Sequence, residues 1–228
     1  MTTPAFRRAR SREQQQQRRA QILGGARELL AVTEPAAVSL RELAREVGLA
    51  KSNVVRYFPT REAVFLAVLA EDFDAFLDDV GARLPRADRR RSVASQRRLI
   101  ASALAEALAD HPRLCDLLAA CQTVLEHNVP AETAREFKTI ARQWLAGLAD
   151  LVRASHSQLD PAAAAEFAGH VWVLVAGVWP MANPNPVVAA VLSEPEFQDM
   201  SVDFVPALTR ALTVLLAGLS AESAADPA

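Results

Sequence analysis

The sequence predicts an all-α protein, a three-helix helix-turn-helix head followed by a larger helical body, on three observations. Between Ser39 and Glu62 two short helical patterns flank a glycine turn. Behind them, apolar residues recur at three- and four-residue spacings and prolines cut the chain into helix-length pieces. The two parts also differ in charge. Residues 1–61 hold 12 Lys and Arg against five Asp and Glu, net +7, and residues 62–228 hold 13 against 22, net −9. The overall charge of −2 thus conceals a basic head on an acidic body, and a chain of 228 residues, 51% hydrophobic, is long enough to bury a core.

Residues 1–12, with Arg7, Arg8, Arg10 and Arg12 and almost nothing apolar, read as a flexible basic arm. Such an arm either reaches into a minor groove or is a solvated tail that raises the on-rate. It has no apolar core of a secretory signal, so a cytoplasmic location is expected. The head is read as residues 13–61. Its first helix, from Glu13, carries Ile22, Leu23, Ala26, Leu29 and Leu30 and ends at Thr33-Glu34-Pro35. The second presents Leu40, Leu43, Ala44 and Val47 on one face; Ser39 and Glu42 have capping-box spacing, and Gly48 marks the turn. The third, Lys51 to Phe58, buries Val54 and Phe58 with Val55 beside them and leaves Lys51, Ser52, Asn53, Arg56 and Tyr57 as a polar face before Pro59 stops it. Held by Leu49 and Val54, such a helix suits a major groove, with first-turn side chains at base edges. Capped helices joined by glycine also occur in small helical domains of any kind; the net charge of +7 favours a polyanion partner.

The body, residues 62–228, begins with a helix from Thr60 to about Val80 that buries Val64, Phe65, Val68, Leu69, Phe73, Phe76 and Leu77. After a loop to Arg91, helices are expected over about 94–110, 113–127 and 131–155, separated by His111-Pro112, Asn128-Val129-Pro130 and Ser155-His156-Ser157. Cys121, Gln122, His127 and Arg142 lie among apolar residues where they could orient a ligand in a cavity, with Phe137, Trp144, His170 and Trp172 as aromatic members of the set; each alone reads more simply as an ordinary helix residue. Phe167, Val171, Leu174, Val178 and Met181, then Val205, Leu208, Leu212, Leu215 and Leu219, fall at alternating three- and four-residue steps, the pattern of a helix seam. The first of these helices is also apolar through Trp172, Val175 and Trp179, so it needs two covers, one of which a second copy of the chain would supply. Residues 183–201 form the connection, with a short helix around Val187 to Leu192. The apolar run from Ala168 to Ala182 is shorter than the about 20 residues of a membrane span, and no membrane partner is expected.

The stretch ARELL followed by SLRELAREVGLAKSNVVRYFPTREAVF resembles the N-terminal domain of the TetR family of bacterial transcriptional regulators, over residues 18–66. Carried over position by position, the resemblance implies Ser39 and Arg41 near the DNA backbone, Lys51, Ser52 and Asn53 near base edges with Arg56 beside them, and Tyr57 and Arg61 on phosphates. Arg61 stands where the family usually has lysine. Val55 replaces a phosphate-contacting tyrosine, and Ala50 replaces the usual Ser/Thr cap. The resemblance further implies a homodimer whose last two long helices form a four-helix bundle. It implies a sequence-specific regulator, most often a repressor, on a near-palindromic double-stranded DNA operator, released when a small, hydrophobic effector in the body shifts the fourth helix.

Other chemistry finds less support. His111, His127, His156 and His170 show no zinc-ligand spacing, and there is no glycine-rich phosphate loop or nucleophile elbow, so no metal, cofactor or catalysis is expected. Asp74 and Asp78 share a helix face, as in Mg²⁺-dependent diphosphate enzymes, but no second acidic cluster follows; that reading and a helical interaction module without DNA binding remain the alternatives. Cys115 and Cys121, six apart in one helical pattern, lie on different faces and are expected as two thiols.

Overall fold

The computed structural model describes residues 4–84, 86–88, 90–156 and 159–225, with side chains from Glu13 to Ala221 inside those spans. Every regular element among them is helical: α1 (Pro4–Leu30), α2 (Leu40–Glu46), α3 (Lys51–Val55), α4 (Arg61–Arg83), α5 (Val93–Ala109), α6 (Pro112–Ala120) continued by a π-helical turn (Cys121–Leu125), α7 (Ala131–Ser155), α8 (Pro161–Ala182), α9 (Pro186–Leu192), a 3-10 turn (Gln198–Met200) and α10 (Phe204–Ala225). The chain divides into two compact units, Met1–Leu69 with Ala120–Phe137, and Ala70–Ala119 with Lys138–Ala228.

The first unit is organised by α1. Its Ile22, Leu23, Ala26 and Leu30 are buried, as are Leu43, Ala44 and Val47 from α2, Val54 and Phe58 from and just after α3, and Val64, Phe65 and Val68 from α4. Leu29 is only half-buried. The capping box forms, with the Ser39 N–H donating to Glu42 Oε2 at 2.8 Å and the Glu42 N–H donating to Ser39 Oγ at 3.2 Å. At the other end of α2, the Gly48 N–H reaches Arg45 O and the Leu49 N–H reaches Ala44 O, the paired bonds of a Schellman stop, and Gly48 takes φ +65° to make them. Gly25 lies where α1 meets α2, and a Cβ there would run into Val47 Cγ1.

Two expectations change here. The helix starts at Pro4, not Glu13, so the backbone of residues 4–12, expected as part of an arm, is helical, and residues 1–3 of that arm lie outside the described residues; proline is pre-organised for a first helical position, and the Arg, Ala and Gln that follow are good helix formers. Side chains of the arginines up to Arg12 lie outside the described ones. α3 is also shorter than Lys51–Phe58. It ends at Val55, and a turn in which the Tyr57 and Phe58 N–H groups both donate to Val54 O swings Phe58 back into the core. Val54 is fully buried, whereas Val55 is 41% exposed, contrary to its expected place beside the core.

In the second unit α10 packs against α5 and α8. The core takes Ile100, Leu104 and Leu108 from α5, Leu114, Leu117 and Leu118 from α6, Leu148 and Val152 from α7, Phe167, Val171 and Val175 from α8, and Leu208, Leu212 and Leu216 from α10. Phe73 stacks on Trp144 at 4.7 Å and meets Phe76 edge-on at 5.5 Å, while the Trp144 indole N–H donates to Asp74 Oδ1 at 3.0 Å. The Trp179 N–H donates to Asp116 Oδ1 at 2.6 Å. Of the residues expected to form a seam with a second copy, Phe167, Val171, Leu208, Leu212 and Leu219 are buried inside this single chain. Leu174, Val178, Val205 and Leu215 are half-buried and Met181 is 59% exposed. Heptad-like spacing marks a buried stripe without saying whose surface buries it. α8 and α10 leave Val173, Met181 and Val214 exposed. By length and composition two helices, Pro161–Ala182 and Phe204–Ala221, could cross a membrane, more than the shorter run 168–182 suggested; each carries one of these core stripes.

Candidate nucleic-acid interface

The interface starts from a short helix fixed on one side. Val54 and Phe58 plug α3 into the core of the first unit, so Lys51, Ser52, Asn53 and Arg56 are left exposed together on the opposite side, with Tyr57 half-buried at the edge. Ala50 takes an extended backbone and offers no side-chain cap, leaving the first N–H groups of α3 without a side-chain acceptor from that position. Arg41, on α2, is exposed; Ser39 is half-buried, with its hydroxyl and N–H both used by Glu42. Bonding to Ser39 holds the Glu42 carboxyl below the usual carboxylate range.

Arg61, expected on a phosphate, is bonded within the chain. Its Nη1 donates to Ala36 O at 3.0 Å and to Val38 O, and its Nε donates to Glu62 Oε1 at 2.7 Å. The guanidinium therefore ties the loop before α2 to the first turn of α4, a bridge that a lysine ammonium could not span with the same planar geometry.

Two residues that the sequence reading passed over complete the site. Arg19 donates to Tyr57 O at 3.4 Å and lays its guanidinium over the Phe58 ring, 4.3 Å from the centroid, so α1 props the segment after α3 from behind. Gln21 donates to Val47 O at 3.0 Å and holds the end of α2 in the same way. Their position three and one residues before Ile22, on the rim of the α1 apolar stripe, is the signal that could have found them. Gln14 and Gln15 join Arg56 and Tyr57 around a polar cleft of about 320 Å³.

The eight residues considered for a ligand divide between the two units, four in each. Gln122 and His127 in the first unit, and Arg142 and His170 in the second, are exposed; the His170 ring nitrogen Nδ1 is 2.9 Å from Glu166 O one turn earlier. Cys121, Phe137 and Trp144 are buried and Trp172 is half-buried. Cys121 opens the π-helical turn with its thiol 3.4 Å from Glu126 Oε1. Both cysteines are free thiols; burial, with the Asp116 charge, pushes the Cys115 thiol far up. Among the described residues no three His, Cys, Asp or Glu side chains converge as metal ligands, and Asp74 is engaged by Trp144.

Residues 22–68 match the family model described as bacterial regulatory proteins, tetR family, and residues 70–223 match that described as tetracyclin repressor-like, C-terminal domain. No curated protein matches the chain in sequence. Among solved structures, a tetR-family transcriptional regulator from Streptomyces coelicolor is 18% identical with a TM-score of 0.55, over 92% of this chain and 86% of that one. A TetR transcriptional regulator from Rhodococcus sp. RHA1 is 17% identical with a TM-score of 0.54, over 90% and 98%. The transcriptional regulator FadR from Bacillus subtilis, in complex with stearoyl-CoA, is 17% identical with a TM-score of 0.53, over 88% and 98%. At these identities the likeness is one of fold.

Proposed function

The chain belongs to the TetR family of bacterial regulatory proteins, and on that premise we propose that it is a homodimeric transcriptional repressor that reads a near-palindromic operator and leaves it on binding a small effector. The observation that carries this reading is the exposed polar face of α3, backed by a fully buried Val54 and a buried Phe58. Lys51, Ser52 and Asn53 read base edges; Arg56, Tyr57 and the polar cleft they share with Gln14 and Gln15 take a backbone phosphate; Arg41 approaches the neighbouring backbone. Arg61 acts by positioning the loop before α2.

The exposed apolar side chains of Val173 and Met181 on α8 and Val214 on α10 support a second copy docked on these helices, and a two-fold dimer calls for two half-sites about one or more helical turns apart. The effector is apolar, a reading supported by the aromatic cluster that Phe73 and Phe76 of α4 form with Trp144 of α7. Because α4 is one continuous helix from the first unit into the second, a ligand that favours one position of α4 would alter the spacing of the two heads, with a coupling on the order of 1–3 kcal/mol.

Binding of variants to an operator and to unrelated duplexes tests the assignment. Tyr57→Ala lowers affinity for every duplex by a similar factor, whereas Asn53→Ala changes which sequence is preferred. Equal losses from both, with unchanged preference, would remove Asn53 from base reading.

A further inference from the structure

Val55 is an apolar side chain in a place where the surrounding chemistry is polar. It is 41% exposed, while the preceding Val54 is fully buried. On an ideal helix, with Lys51 at zero and about 100° per residue, Val55 falls near 40°, Ser52 near 100°, Asn53 near 200° and Val54 near 300°. The valine thus lies between Lys51 and Ser52 in projection, inside the exposed arc and well away from the core. Elsewhere on a surface a single exposed valine is ordinary. Here it shares the face of a reading helix with three side chains that hydrogen-bond.

A major groove offers donors and acceptors on every base pair and one apolar group, the C5-methyl of thymine. Against a donor or acceptor edge, Val55 would remove water and return nothing; against a methyl it would bury apolar surface on both sides. Its branched side chain is stiff at χ1, so little freedom is lost in fixing the contact. We propose that Val55 is a specificity-determining residue that reads a thymine methyl in each half-site, an inference that rests on DNA reading by α3. Four residues after Lys51, it stands about 6 Å further along the helix, and about two base-pair steps separate the two contacts.

Replacing each operator thymine in turn by deoxyuridine removes the methyl and leaves the hydrogen-bonding edges intact. At one thymine per half-site, the wild-type protein should lose about fourfold in affinity, the worth of one buried methyl. In Val55→Ala the same substitution should have no effect, and since the side chain is exposed the variant should melt with the wild type. If no deoxyuridine position distinguishes wild type from Val55→Ala while both still select the operator, the inference falls and DNA reading by α3 stands. If the wild-type protein selects no operator at all, both fall together.

Discussion

Ala50 precedes α3 with an extended backbone, φ −66° and ψ 143°, the geometry of a helix cap, but has no side-chain oxygen to use it. Ala50→Ser should therefore raise the stability of the protein by about 1 kcal/mol, read as a shifted urea midpoint at constant slope; no shift would mean that the first N–H groups of α3 find other partners. The missing cap was legible in the sequence because it depends on one side chain at one position. Two placements at residue scale were not. Arg61 bonds the carbonyls of Ala36 and Val38, 25 and 23 residues away in sequence, and no local pattern announces that contact. Val55 was expected beside the core with Val54 and Phe58, but it lies about 100° round the helix from the buried Val54 and is exposed, while the turn after α3 carries Phe58 alone back into the core.

At the scale of elements, α2 is the piece most fully written in the sequence. Ser39 with Glu42 sets its start and Gly48 its end, and the chain makes all four of the capping bonds that this spacing allows. Its packing against α1 needs a close approach at Gly25. Gly25→Ala would push Val47 out of place and should cost about 1–3 kcal/mol, more than a helical alanine gains over glycine, and it should weaken DNA binding by tilting α2. A variant as stable as wild type would show that α2 shifts freely. The elements read less well were those whose partner is distant. The seam residues of α8 and α10 have the right period, yet five of them face α5 and each other's helix inside one chain. Periodicity finds a buried stripe on such helices, while the choice of cover depends on the order in which helices pack.

For the molecule as a whole, the buried His156 sets a pH dependence. Both of its ring nitrogens are buried without a hydrogen-bond partner, as is Nε of Arg97. Burial, and then the positive charge of Arg97, hold the imidazole below its ordinary value of 6.5. The folded protein therefore keeps His156 neutral at pH values where the unfolded chain binds a proton. Stability contributed by the neutral form is complete above about pH 6.5 and declines as pH falls below it, by at most about 1.4 kcal/mol per pH unit. Urea unfolding between pH 7 and 5 should show that His156→Phe flattens the slope. An unchanged slope would place the acid sensitivity elsewhere.

The all-helical class, the helix-turn-helix and the charge division between residues 1–61 and 62–228 came from composition and short-range spacing, which are local quantities. The grouping of Ala120–Phe137 with the first unit did not, because it is a contact between distant parts of the chain. The central claim, sequence reading by the exposed face of α3, is tested most directly by selecting bound sequences from random duplexes at moderate salt. Enrichment of a near-palindrome with half-sites about one or more helical turns apart is expected, altered at defined positions by Asn53→Ala. Binding that enriches no sequence, or an enriched sequence that Asn53→Ala and Lys51→Ala leave unchanged, would contradict it.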